Sequence, residues 1–180
     1  QISFFRYGCG LIFLIPVFVK LGAANLGTER LPLHLLRMCL AFAAQLGIFI
    51  TVIYMPLAEA TAFMFSKPLF TTVVAVFVLH EVVNARRWMA TIVGFAGVLV
   101  LVRPGAEAFD PLALVAVGSA LTFAIANVLI RKLSSTEPTG RILFYYHIGG
   151  VLLFAIPAWW VWTMPEGIEW LKLVGIGGLT

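Results

Sequence analysis

The sequence predicts an all-α polytopic membrane protein, and three observations carry that prediction. Hydrophobic residues make up 62% of the 180 residues and charged residues 11%, where soluble domains carry roughly 45–50% and about 25%. Apolar runs long enough to cross a bilayer recur along the whole chain. Most of the basic residues fall between those runs or at their ends instead of gathering on one polar face. A water-soluble fold needs a polar exterior that this composition does not supply, so lipid is the expected solvent. The net charge of +4 therefore does not mark a nucleic-acid binder, and no nucleic-acid partner is expected.

Six full transmembrane helices and a partial seventh are expected. A spanning helix needs roughly 20 mainly apolar residues to cross about 30 Å of hydrocarbon, and the runs fall at roughly 2–19, 35–54, 57–79, 88–102, 111–130 and 141–162, with a further start at 169. Barrel strands would be about 10 residues of alternating polarity, and these runs are longer and unalternated. The fourth run is short, but Arg86, Arg87 and Arg103 at its ends can snorkel to the headgroups. Gly22, Gly27 and Pro32 punctuate the first connection, Met55-Pro56 the second and Asn84 the third. Pro104-Gly105 with Asp110-Pro111 mark the fourth, Ser134, Ser135, Pro138 and Gly140 the fifth, and Pro165 with Gly167 the sixth. The chain opens on Gln1 inside an apolar run and stops at Thr180 part-way through another, the pattern expected of an internal segment.

Orientation follows from the basic residues. The first, third and fifth connections with their flanks hold Lys20, Arg30, Arg37, Arg86, Arg87, Arg131, Lys132 and Arg141. The second, fourth and sixth hold Arg103 and Lys172, beside Glu59, Glu107, Asp110, Glu166 and Glu169. The odd connections are therefore cytoplasmic, and the first helix runs inward. An odd number of spans, most simply one, then precedes it if the N-terminus is cytoplasmic.

A weak internal echo accompanies this order. Phe4-Phe5-Arg6-Tyr7 leading to Pro16 resembles Leu143-Phe144-Tyr145-Tyr146 leading to Pro157, and Leu35-Leu36-Arg37 resembles Trp170-Leu171-Lys172. The paired helices are five spans apart and so point oppositely through the bilayer, as in the inverted repeats of transporters that bind cargo near the midplane. Small-residue spacings such as Ala43-x-x-x-Gly47 and Ala116-x-x-x-Ala120 suit close helix packing. Cys9 and Cys39 lie in apolar runs and read as small buried hydrophobes.

Several stretches taken in order resemble the drug/metabolite transporter superfamily in its EamA-like branch. They are Phe4-Phe5-Arg6-Tyr7; Met55-Pro56-Leu57-Ala58-Glu59-Ala60-Thr61-Ala62 continuing through Lys67-Pro68-Leu69-Phe70 to His80-Glu81; Arg87-Trp88 with Gly94-Phe95-Ala96-Gly97-Val98; and Ile130-Arg131-Lys132-Leu133-Ser134 with Glu137-Pro138. The resemblance implies ten helices in two five-helix inverted repeats with both termini cytoplasmic. This segment would run from the second helix into the eighth, with 1–105 the remainder of the first repeat and 106–180 the start of the second. It also implies transport of a small metabolite, such as an amino acid, a purine, a nucleotide sugar or S-adenosylmethionine, across the bacterial inner membrane.

Lys67 is the most informative residue for chemistry. It lies ten residues after Leu57, roughly 15 Å deep at about 1.5 Å per residue. A lysine there costs about 2.5–3.5 kcal/mol even on lenient insertion scales, and such residues face a cavity or a partner. Pro68 follows directly, removes an N–H from the helix and favours a break. A purely structural pairing of Lys67 with a carbonyl or carboxylate stays open. Arg6 and Tyr7 near the outer end of the first helix, Asn127 in the fifth, and Tyr145 and His147 in the sixth are the other candidates for binding cargo. Each has a plainer role beside it: headgroup snorkelling for Arg6, interfacial anchoring for the tyrosines, packing hydrogen bonds for His147 and Asn127. Glu81 is a candidate for the inward gate, or an interfacial ion pair with Arg86 and Arg87.

No acidic residue lies at mid-membrane, no Gly-rich phosphate loop appears, and neither H-E-x-x-H, G-x-S-x-G nor an acidic dyad is present, so no enzyme, cofactor or metal is expected. The expected function is a secondary transporter of a small organic metabolite, an amino acid or related carboxylate-bearing compound, working by alternating access. A non-transporting assembly subunit and, behind it, an intramembrane enzyme are the alternatives. The expected partners are that substrate and the lipid bilayer; a homodimer stays open.

Overall fold

The computed structural model describes residues 2–22, 26–102, 110–162 and 175. Every regular element among the described residues is helical: α1 Ile2–Phe13, α2 Ile15–Leu21, α3 Leu31–Tyr54, α4 Leu57–Met64, α5 Lys67–Leu79, α6 Ala85–Val102, α7 Pro111–Ser134 and α8 Thr139–Trp160. The run expected over 2–19 is divided at Leu14, because Pro16 in the first turn of α2 has no N–H to continue the ladder. Gly22 ends α2 with φ 77°, a left-handed position that only glycine takes without strain. Helix α3 starts four residues before the expected run, with Pro32 in its first turn instead of in the connection. The Asp110 side chain accepts the Leu112 N–H at 2.8 Å and starts α7.

Four segments are long and apolar enough to cross a membrane: Leu31–Tyr54, Leu57–Leu79, Pro111–Ser134 and Thr139–Trp160. The expected six full spans thus stand at four by length and composition among the described residues. The first run is split, and α6 begins with Arg86 and Arg87, leaving 15 residues that reach only about 22 Å at about 1.5 Å each. The segment expected to begin at 169 lies outside the described residues.

Side-chain size is distributed as lipid demands. Buried positions are largely small, including Ala44, Ala60, Ala116, Ala120 and Ala124, whereas Phe77, Val93, Trp159 and Trp160 are exposed. Small residues let helix backbones approach where no hydrophobic effect drives them together. Tryptophans at the end of α8 suit the headgroup boundary.

The chain forms two compact units, Gln1–Met38 with Leu133–Thr180, and Cys39–Lys132. In the first unit, α1 packs along α8. The Tyr7 ring covers Gly150 and the Met38 side chain covers Gly149, so a methyl group at either glycine would collide with them. Phe18 meets Phe144 edge to face at 5.3 Å. In the second unit, Ser119 fills the space over Gly47 and Leu69 that over Gly94, Phe70 meets Phe95 at 4.9 Å, and Met55, Phe63, Ala113 and Ala116 form a buried cluster.

Glu137, between α7 and α8, ties the first unit together at one end. It is 8% exposed, accepts a hydrogen bond from the Thr28 hydroxyl, lies 2.6 Å from His34 Nε2 and has Arg141 at 3.8 Å. Burial alone would push its carboxyl up. The hydrogen bonds from Thr28 and His34, with the charges of His34 and Arg141, outweigh burial and hold it below the usual carboxylate range.

Two stability measurements on the purified full-length protein in detergent follow from this packing. Gly→Ala raises helix propensity by about 1 kcal/mol, so Gly8→Ala, with nothing near its added carbon, leaves the melting temperature unchanged or higher. Gly150→Ala collides with Tyr7 and lowers it, by about 1–3 kcal/mol in stability for an overpacked site. For Glu137 the sign is that of a depressed carboxylate. Its contribution is complete above the unfolded value of about 4.3 and is lost as pH falls through the lower folded value. Thermal melts between pH 7 and 3 should show this acid loss in wild type. Glu137→Gln should be less stable by about 3 kcal/mol at pH 7 and flatter on acidification.

Candidate functional site

The second unit holds a broken spanning segment. Helix α4 ends at Met64, Phe65 and Ser66 intervene, and α5 resumes at Lys67 with Pro68 as its second residue. Pro68 cannot donate to the turn before it. The buried Ser66 sits in the break, its backbone N–H meeting the Phe63 carbonyl at 3.0 Å and its hydroxyl donating to the same oxygen at 2.6 Å. Lys67 is partly buried, and its ammonium lies 4.4 Å from the centre of the Phe123 ring, a cation–π contact. Beside it is a cavity of about 10 Å³ bordered by Thr51, Phe63, Ser119 and Ala120, on the scale of one water. The Thr51 and Ser119 hydroxyls donate to the carbonyls of Gly47 and Val115, at 2.8 and 2.6 Å. Their lone pairs remain as acceptors.

Asn127 is partly buried one helical turn beyond Phe123 on α7, hence on the same helix face. Glu81 follows α5 and pairs with Arg131, not with Arg86 or Arg87. Both of its charges are substantially exposed, which limits such a pair to about 0–1 kcal/mol.

The first unit gathers the aromatic candidates. Tyr7 is 4% exposed. Its hydroxyl donates to the Tyr146 hydroxyl at 3.1 Å, its ring stacks on Phe154 at 5.6 Å, and His147 meets it edge-on at 6.1 Å. Arg6 lies 4.8 Å from the centre of the Tyr7 ring. His147 is buried, with Nδ1 donating to the Leu143 carbonyl at 2.9 Å. Arg6, Tyr7 and His147 are thus brought together. Tyr145 turns away from them and lies 4.6 Å from His34.

Two polar residues missed from sequence complete this unit. His34 is fully buried against Glu137 with its Nδ1 unpartnered, and Arg37 is 4% exposed with its Nε unpartnered. The Arg37 guanidinium lies 4.6 Å from the centre of the Tyr146 ring, and its Nη1 reaches the Ile142 carbonyl at 3.5 Å. The expected run began at 35, which set His34 outside the membrane and Arg37 at its edge. The i, i+3 spacing of the two residues was the available signal, since it puts both on one helix face. Among the described residues, no group of three His, Cys, Asp or Glu side chains gathers to hold a metal.

The model of the EamA-like transporter family matches residues 1–103. The S-adenosylmethionine uptake transporter of Rickettsia conorii is 34% identical over 177 residues, 98% of this chain and 60% of that protein. The riboflavin transporter of Vibrio cholerae is 31% identical over 185 residues, 99% and 61% of the two chains. The pseudopaline exporter CntI of Pseudomonas aeruginosa is 29% identical over 181 residues, 98% and 63%. The chain thus spans about 60% of the length of the first curated relatives it matches. No solved structure matches it. Its apolar helices and these bacterial relatives make it an integral protein of the bacterial inner membrane. With more than half of its residues matched and the order of motifs in keeping, the chain belongs to the EamA-like transporter family.

Proposed function

We propose that the chain is part of a secondary transporter that moves a small organic metabolite across the inner membrane by alternating access. The metabolite bears a carboxylate, as an amino acid or a related compound does. In this proposal 1–105 and 106–180 belong to two inverted repeats, and Lys67 at the helix break is the cation that cargo meets. The observation that carries the reading is the break itself. A spanning segment interrupted by a proline, with a partly buried lysine at the interruption, is the form in which transporters present charge and freed backbone to a substrate. A structural subunit gains nothing from a lysine there, since the residue is costly in hydrocarbon.

The relatives' names suggest the first compounds to try. S-adenosylmethionine combines an amino-acid end, with its carboxylate, and an aromatic base. Riboflavin has the aromatic ring system without a carboxylate. Arg6, Tyr7, Asn127, Tyr145 and His147 are proposed to line the route of the cargo, with Pro68 as a hinge and Glu81 at the gate.

Uptake and efflux of labelled S-adenosylmethionine, riboflavin and a panel of amino acids by the full-length protein in proteoliposomes test the proposal. Wild type should carry a carboxylate-bearing compound, and Lys67→Met at equal membrane abundance should cut that transport by about tenfold or more, the loss expected when a charge-assisted contact goes. Equal handling of a compound and its decarboxylated counterpart would sink the carboxylate class. Absence of any transport, together with a stable complex that helix-packing changes abolish, would favour an assembly subunit.

A further inference from the structure

We propose that Arg37 is a cargo-recognising residue, its guanidinium binding the carboxylate of the transported compound beside the aromatic seat formed by Tyr146 and Tyr7. This rests on the transporter reading above and adds a second cation to it, in the unit that does not contain Lys67.

The argument starts from how the first unit treats its buried charges. Glu137 is met by Thr28, His34 and Arg141, so this part of the fold surrounds a charge where the charge is structural. Arg37 is buried as deeply, yet among the described residues no carboxylate pairs with it. A guanidinium has five N–H donors and no acceptor. Here Nε is buried and unpartnered, and the bond from Nη1 to the Ile142 carbonyl, at 3.5 Å, is longer than a good hydrogen bond. The remaining contact is the face of Tyr146, which favours the cation but takes none of its hydrogen bonds.

The position is also held firmly. Met38, the next residue, fills the space over Gly149, and Tyr7 fills that over Gly150, so side chains from α3 and α1 both seat against α8 at these neighbouring glycines. The Tyr7 hydroxyl bonds to that of Tyr146 and fixes the ring under the charge. A planar fork with unused donors, on an aromatic platform and away from water, is suited to a carboxylate taken in two-point contact. An aromatic or apolar remainder of the cargo meets the partly exposed Tyr146 ring, which Tyr7 and Phe154 back from behind.

The test separates recognition from packing through the carboxylate itself. In proteoliposomes holding the full-length protein, uptake of labelled S-adenosylmethionine and of labelled phenylalanine is competed by two matched pairs: S-adenosylmethionine with its decarboxylated form, and phenylalanine with phenylalaninamide. Wild type should prefer the carboxylate member of at least one pair. Arg37→Gln should weaken that member by about tenfold or more while changing its partner by less than about twofold, because one charge-assisted contact is removed. Arg37→Lys, which keeps the charge but not the fork, should fall between. Should Arg37→Gln fail to reach the membrane, Arg37→Lys decides by the same ratio. Equal weakening of both members, or an unchanged preference, overturns the assignment and leaves Arg37 as a tie between α3 and α8. Transport confined to neutral compounds such as riboflavin overturns it together with the carboxylate class, and leaves a transporter of neutral cargo. No transport of any compound overturns both.

Discussion

The constraint on which the rest of the structure depends is that backbone N–H and C=O groups have no water to turn to inside hydrocarbon. Helices satisfy them within one segment, and the described residues answer with helix after helix. The informative places are those where the ladder stops. Pro16 and Pro68 each remove a donor from an apolar run, and each divides it. At Pro68 the fold spends a buried serine, whose N–H and hydroxyl both meet the Phe63 carbonyl.

The same solvent sets the value of each charge. Glu81 and Arg131 sit where water reaches them, and their pairing adds little. Glu137 is buried and surrounded, so it fastens the connection after α2 to the start of α8 within one unit. Lys67 and Arg37 are handled differently. Each lies against an aromatic face, which lowers the cost of a cation in a dry place without using up its N–H donors. In the proposed reading, those remaining donors are what an anionic cargo meets.

Fold class, membrane location and family were legible in sequence because composition, run length and motif order are summed over many residues. The break at Lys67-Pro68 was also legible, since proline acts locally. What escaped depended on boundaries of a few residues and on contacts distant in sequence. Pro32 looks like a loop residue, yet it is tolerated in the first turn of a helix, and beginning α3 at Leu31 moves His34 and Arg37 inward by about a turn. Arg37 counted as one more basic flank because a basic residue near a run end reads the same whether it snorkels outward or turns inward. The partner of Glu81 escaped for a related reason. Arg86 and Arg87 are near in sequence, whereas Arg131 reaches it only through the packing of α7.

The relatives sharpen the question of where cargo is written. Proteins named for S-adenosylmethionine, riboflavin and pseudopaline align with nearly the whole chain at 29–34% identity, so one scaffold serves compounds that differ in charge and shape. A scaffold is not a function. Most of this chain is alanine, glycine and aliphatic packing, which any of those cargoes would tolerate equally. In the proposed reading, discrimination rests with the few polar side chains that the fold places inside and does not consume. Glu137 is occupied by its three partners, and the Thr51 and Ser119 protons by their own helices. Lys67 and Arg37 each lie against an aromatic ring, and among the described residues no carboxylate pairs with either.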